Sequence, residues 1–477
     1  MASIVVGSNA LGASHFAYAR GTAIGVALSA HVAMYKVRWS TSTAEILANN
    51  VLAGMDQAIA DGVDVMPLSL ALPKTLYFEN VIAITSLSAI EKGIVVVCAA
   101  GNEGARNTTF NGAPWIITVG AGTIDRNNVA SLNLENGLTI EGTPYFLASV
   151  YITNTSIYYG KGNLNRAICN VSALDSEEIA GKAVLCDKSL NIDIFGKMKE
   201  VKRAGGYAGI FVGDMVTLDP QYYIPAQFSI PSLVLHTNYG ASVKEYVTSE
   251  NNVKVKSMKF VITTLGTKPA PQVAFFSSRG PDPINPGVLK PDILAPWQDV
   301  LAIVVPKKAY FKVGNYNMVT DYGFISGTSM ATPHVIGVTT LLKVIHHDWS
   351  PAAIRLAIMT TANTLDNTDT ALKDQLTGLR ATPLDFGAGR VNLNKAMNLG
   401  LIYNVGFQDY VDFLCRLGYN KKQMSDVLRR NQWSCNQNPN DLNYPSFIAI
   451  FPKNASSITT ETFNSVMTNM GDDTAIY

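Results

Sequence analysis

The residues best suited to chemistry lie in Phe324–His347, FISGTSMATPHVIGVTTLLKVIHH, where Ser329 sits among small residues just before an apolar helical pattern. Val335, Val338, Leu341, Leu342 and Ile345 recur at helical spacing and turn most of that helix toward a core. A serine at the mouth of such a helix stands where unpaired backbone N–H groups and the positive end of the helix dipole favour negative charge. Gly327 and Ala331 leave room for a substrate backbone, and Pro333 suits a first helical turn. The chemistry this predicts is nucleophilic attack by the Ser329 hydroxyl. Taken alone, residues 327–331 read first as a serine that caps a core helix.

Positioning such a group takes a scaffold, and alternating patterns supply one. Val32–Val37 reads as a short strand, and Ala44–Asp61 as an amphipathic helix with Ile46, Leu47, Val51, Met55 and Ile59 on one side. Gly62 ends that helix, and Val63–Leu70 is the next strand. Ile82–Lys92 is helical again, and Gly93–Ala99 (GIVVVCA) is apolar throughout, as buried parallel strands are. This alternation predicts an α/β fold with a parallel sheet flanked by helices. Further on, Ser350 caps a helix that opens with Pro351 and points Ile354, Ile358 and Met359 inward.

Bulk properties bound the partners. A chain of 477 residues has room for two to four domains, and its hydrophobic share of 47% suits a large core. Charged residues make up only 15% and the net charge is +1, which gives no electrostatic reason to expect nucleic acid or an anionic membrane as partner. Apolar runs stop well short of a membrane span, and residues 1–30 show no basic start before an apolar run, hence no visible signal peptide. The spacings of Cys169/Cys186 and Cys415/Cys435 suit disulfides in a secreted protein, with Cys98 left over; free buried thiols are the alternative. Asn-x-Ser/Thr sites at Asn107, Asn154, Asn170 and Asn454 fit export but decide nothing.

The string Ser326–His334, SGTSMATPH, resembles the nucleophile motif of the subtilisin-like serine proteases, with Thr332 where the plant branch usually carries cysteine. The resemblance extends along the chain. Ala100-Gly101-Asn102-Glu103-Gly104 is similar to the family's oxyanion-hole motif, and Ser69-Leu70-Ala71 to its substrate-pairing Ser-Leu-Gly, with Ala71 for glycine and Pro67 just before. Ser277-Ser278-Arg279-Gly280-Pro281 with Leu289–Pro296 resembles a further signature, from which Trp297 departs, and Phe386–Asn392 closes the catalytic domain in the family's manner. By this resemblance Ser329 is the nucleophile and Asn102 the oxyanion donor. Ser69, Leu70, Ala71 and Gly101 would bind the substrate, and neither a metal nor an organic cofactor takes part. The partner is a protein or peptide substrate.

The resemblance also implies a domain plan. Residues 1–137 form the first part of the catalytic domain, 138–265 an inserted protease-associated domain that offers protein contacts, and 266–400 the second part with the nucleophile. Residues 401–440 connect to 441–477, which begins Leu442-Asn443-Tyr444-Pro445-Ser446-Phe447 like the family's fibronectin-III-like β-sandwich. A sandwich takes about 100 residues, so this one is expected to be truncated. Met1-Ala2-Ser3 stands where the family's catalytic-histidine motif ends, so both that histidine and the catalytic aspartate are expected to lie upstream of residue 1. None of His15, His31, His236, His334, His346 and His347 has a matching context. His334, five positions along the helix from Ser329, projects toward the body of the fold and reads as a hydrogen-bonded core histidine.

The function so implied is a serine-type endopeptidase working through an acyl-enzyme, marginally stable and essentially inactive as this chain, and extracellular (apoplastic) by resemblance. The alternative is a non-catalytic pseudoprotease that binds peptides or protein partners. An α/β-hydrolase is disfavoured, because Gly-Thr-Ser-Met-Ala lacks the second glycine of that elbow.

Overall fold

The computed structural model of the chain describes all residues except 17, 40–42, 147–149, 214–227, 250–252, 306, 314–315, 399–400, 404, 437–441, 452–459 and 470–477. Four parallel strands make the central sheet, in the order Ile293–Pro296, Ile117–Gly122, Val95–Ala99, Val65–Leu68. Side chains alternate across it. Val96 and Cys98 join a cluster with helices Ala44–Ala60, Val81–Glu91, Phe407–Arg416 and Lys421–Leu428. Val95 and Val97 face the opposite cluster, built on helices Thr328–Ile345 and Pro351–Thr360. Both faces are therefore covered, which explains why Val95–Ala99 carries no polar residue.

Local signals explain most element starts. Thr43 caps the helix Ala44–Ala60 by accepting from the Ile46 N–H at 3.3 Å, and Asn80 caps Val81–Glu91 through the N–H groups of Ile82 and Ala83. Ser350 accepts from the Ala353 N–H at 3.1 Å ahead of Pro351, as expected. Val51 and Met55 are buried with Leu47 and Ile59 packed beside them, so the helix presents the expected face except at Ile46 in its first turn, which is exposed. One expectation fails. Val32–Val37 is not a strand: among the described residues no backbone hydrogen bond pairs it, and Tyr35 and Val37 pack instead on the first cluster, with Val37 against Gly54.

Ala2–Val6 is a five-residue helix packed on Thr328–Ile345, and the strands Ala10–His15 and Tyr18–Ala23 form an antiparallel hairpin after it. Between the strands Ile117–Gly122 and Ile293–Pro296 the chain makes a separate body. Seven strands close a barrel, ordered Ala208–Val212, Ser232–Leu235, Thr139–Pro144, Asn127–Leu134, Lys254–Thr264, Tyr151–Tyr159, Ala183–Cys186. Its first strand starts at Asn127, ahead of residue 138, because the change in sequence texture marks the second strand rather than the first. The disulfides Cys169–Cys186 and Cys415–Cys435 are both formed, and Cys98 is a buried thiol. Among the described residues after 441, Met467–Asn469 forms a strand paired with Leu401–Tyr403. The site at Asn454 lies outside the described residues.

Trp297 is buried with its ring edge-on to Phe276, centroids 4.1 Å apart. A buried charge network ties the sheet to the C-terminal segment. Lys290 Nζ donates to Asp292 Oδ2 at 2.7 Å and to the Ile116 carbonyl at 2.8 Å. Asp292 Oδ2 also accepts the Thr118 N–H at 2.6 Å, and Oδ1 accepts the Tyr444 hydroxyl. The Arg355 guanidinium stacks over the Tyr444 ring, 4.7 Å from its centroid.

Candidate active site

Ser329 is the second residue of the helix Thr328–Ile345, whose cap Gly327 has φ +130°, a conformation L side chains rarely adopt. The mouth of this helix faces the ends of two sheet strands. From one comes Asn102, three residues past Ala99; from the other come Ser69, Leu70 and Ala71, just past Leu68.

The Asn102 amide is oriented by its partners. Its Oδ1 accepts the Thr328 backbone N–H at 2.9 Å and the Thr328 hydroxyl at 2.8 Å. Only the carbonyl end of an amide can accept from N–H, so Nδ2 is the end left to donate. That nitrogen lies 3.5 Å from where a Cβ on Gly327 would sit. Gly101, with φ +104°, has the Phe110 ring against the face where a side chain would be, and Ser278 Oγ accepts the Glu103 N–H at 3.1 Å. The strand-end loop carrying Asn102 is thus held from both sides.

Ser69 and Ser329 are joined by a reciprocal pair of bonds. The Ser329 hydroxyl donates to the Ser69 carbonyl at 3.1 Å, and the Ser69 hydroxyl donates to the Ser329 carbonyl at 3.0 Å. The reason lies in Pro333. It falls in the second turn of the helix rather than the first, where its missing N–H would have bonded the carbonyl four residues back, which is that of Ser329. Ser69 fills the place that Pro333 leaves empty.

Asn111, in the left-handed region at φ 57°, was not among the expected site residues. Its Nδ2 donates to the carbonyls of Leu70 at 3.1 Å and Ala99 at 2.9 Å, clamping the two strand ends together. A lone Asn after an aromatic residue in a loop was the only available sequence signal. Across the same gap Lys74 pairs with Glu103 at 2.8 Å and lies over the Phe110 ring, 4.2 Å from its centroid. Ala71 exposes its methyl group, and Pro67 lies on the edge strand, where a missing ladder donor is tolerated.

Among the described residues no hydrogen bond joins an imidazole or carboxylate to Ser329. His334 Nδ1 bonds the Met330 carbonyl of its own helix at 2.9 Å, and burial holds its pKa below the ordinary histidine value. His15 is fully buried among Phe16, Tyr310 and Phe324, with Nδ1 on the Tyr322 carbonyl at 2.7 Å. No cluster of His, Cys, Asp and Glu among the described residues could hold a metal, and no described helix is long and apolar enough to cross a membrane.

The family model described as "Subtilase family" matches residues 1–389. Subtilisin-like protease SBT1.6 of Arabidopsis thaliana is 39% identical over 487 aligned positions, covering 100% of this chain and 63% of the relative. Subtilisin-like protease SBT3 of Solanum lycopersicum is also 39% identical, over 100% of this chain and 62% of its own length. The chain thus spans somewhat over three fifths of the curated relatives it matches. On these matches, the chain belongs to the subtilase family of subtilisin-like serine proteases.

Proposed function

We propose that the site is that of a serine endopeptidase, with Ser329 as nucleophile and Asn102 as oxyanion donor. The observation that carries this is the Asn102 amide, whose carbonyl end is fixed by Thr328 so that Nδ2 is left to donate beside the helix mouth. A substrate carbonyl attacked by Ser329 Oγ would place its oxygen between that Nδ2 and the first backbone N–H groups of the helix. An extended substrate would lie along Ser69-Leu70-Ala71, with Gly101 on the opposite wall. The scissile bond is that of a protein or peptide.

Among the described residues, the Ser329 hydroxyl has a backbone carbonyl rather than a base as its partner. A serine without a base is a weak nucleophile, and the rate that remains is the part owed to oxyanion hole and binding. The chain by itself therefore turns over slowly. A burst of p-nitrophenol from an activated acetate ester should depend on Ser329, vanish in Ser329→Ala and fall about 10²–10³-fold in Asn102→Ala. Rapid cleavage of casein by the 477-residue chain, abolished by Ser329→Ala, would overturn the account of a missing base. A burst unchanged by Asn102→Ala would overturn the oxyanion assignment.

A second reading is a peptide-binding pseudoprotease, favoured by the occupied Ser329 hydroxyl and by the side chain at Ala71. Saturable binding of casein peptides with no acylation of Ser329 would select it. In either reading the barrel of residues 127–264 serves as a protease-associated domain making protein contacts, and the residues from 441 begin a fibronectin-III-like domain. The two formed disulfides fit an oxidising compartment, hence secretion.

A further inference from the structure

The strands Val65–Leu68 and Val95–Ala99 pair in parallel as far as Leu68 and Cys98, and there the ladder stops. Past that point one side chain spans the two strand ends. Asn111 Nδ2 carries two hydrogens and has two acceptors, the Leu70 carbonyl at 3.1 Å and the Ala99 carbonyl at 2.9 Å. The loop behind this amide is firmly seated. The Phe110 N–H donates to the Ala100 carbonyl at 2.8 Å, and the Thr118 hydroxyl donates to the Asn111 carbonyl at 2.7 Å. A Cβ on Gly112 would run into the Asp282 carboxylate. Asn111 itself, at φ 57°, holds a left-handed conformation that asparagine tolerates better than most residues.

Two neighbouring carbonyls at the first strand end have different partners. That of Leu70 accepts from Asn111, and that of Ser69 accepts from the Ser329 hydroxyl at 3.1 Å. Successive backbone groups of an extended chain point to opposite sides in this way. By the same alternation Ala71 turns its N–H and its carbonyl to the side of Ser329. Among the described residues neither of these groups of Ala71 has a hydrogen-bond partner, and the residue is exposed. An unpaired, exposed strand end is what an extended peptide adds to. Asn102, on the other strand end, has its own hold through Thr328 and does not depend on the Asn111 amide.

We propose, on the endopeptidase reading of the Ser329 site, that Asn111 is the positioning residue for extended substrates. By tying the Leu70 carbonyl to the strand end that carries Asn102, it presents the backbone of Ala71 for pairing with the peptide beyond the scissile bond. Its effect therefore depends on substrate length. An acetyl ester reaches only Ser329 and the oxyanion donors. A peptidyl ester also pairs along Ser69-Leu70-Ala71, and its alignment with Ser329 passes through the Asn111 amide.

The test compares the Ser329-dependent burst from p-nitrophenyl acetate with that from the p-nitrophenyl ester of a blocked tri-alanine, on the 477-residue chain and two variants. Asn111→Gly accepts the left-handed backbone and removes the amide; Asn111→Asp keeps the shape and sets an acceptor against two carbonyls. In both, acylation by the peptidyl ester should fall about 10–100-fold while the acetate burst stays within about threefold, which also reports a folded site. Equal losses with the two esters would overturn the proposal, because Asn111 would then support the site as a whole. Undiminished acylation by the peptidyl ester in both variants would overturn it as well. Should neither ester acylate Ser329 in the native chain, the endopeptidase reading falls separately. Equilibrium binding of a labelled casein peptide then decides for Asn111: about tenfold weaker binding in the variants upholds its part in aligning the chain, and unchanged binding removes it.

Discussion

The reciprocal bonds between Ser69 and Ser329 make a quantitative prediction about Pro333. In the native helix the Ser329 carbonyl has no N–H four residues ahead, and the Ser69 hydroxyl at 3.0 Å is its substitute. Removing that hydroxyl with Ser69→Ala leaves a half-buried carbonyl unsatisfied, at a cost of about 1–3 kcal/mol. The backbone bond from Ser329 Oγ to the Ser69 carbonyl survives the change, so the loss belongs to one acceptor. Pro333→Ala restores the helical N–H to that same acceptor. In the Pro333→Ala background, Ser69→Ala should therefore cost only about 0.5 kcal/mol, the remainder of a partner now supplied twice, giving a coupling of about 1 kcal/mol. Native-state hydrogen exchange of the helix amides Met330–Ile336 reads the local stability directly, without requiring the whole chain to unfold in one step. Additivity of the two substitutions within about 0.3 kcal/mol would refute the idea that Ser69 replaces the bond lost to Pro333.

Two further outcomes follow from buried charge. Lys290→Met strands the Asp292 carboxylate in the core and should destabilise the sheet by about 3–5 kcal/mol, read as a lower urea midpoint; a loss under about 1 kcal/mol would mean that Thr118 and Tyr444 satisfy Asp292 without the lysine. Burial, the largest cause, holds the pKa of both His15 and His334 below the ordinary value of about 6.5, the backbone bond of each opposing it. The unfolded chain then takes up these protons first as pH falls, so stability is full above about pH 6.5 and is lost as pH drops from there through the folded values. A melting temperature that stays level from pH 7 to pH 5, or the same acid slope in His15→Gln, would count against His15.

Much of this arrangement could be read from the chain because each signal was local. The apolar run at Val95–Ala99 and the caps at Asn80 and Ser350 depend only on burial and on neighbours within a turn. Ser329 and Asn102 stand on two segments far apart in sequence, and motif similarity alone made them a pair; the hydrogen bonds through Thr328 supply the physical link. What stayed hidden was set by distant partners. Val32–Val37 has the composition of a strand, yet strand propensity is realised only where a neighbour pairs the backbone, and the segment packs its side chains on a helix instead.

Pro333 shows the same limit at the site itself. Its position five residues after the helix cap residue's neighbour reads as compatible with a helix start, since proline is tolerated where N–H groups are unpaired anyway. The helix begins earlier, at Thr328, so the proline removes a bond that an ordinary residue would make. The released acceptor is the carbonyl of the serine best placed for chemistry, and the group that takes it up comes from the strand end 260 residues away. A proline that elsewhere weakens a helix here joins the helix to the strand that would carry the substrate. The serine's position is consequently set by both walls of its cleft, and a change in either should be felt at the hydroxyl.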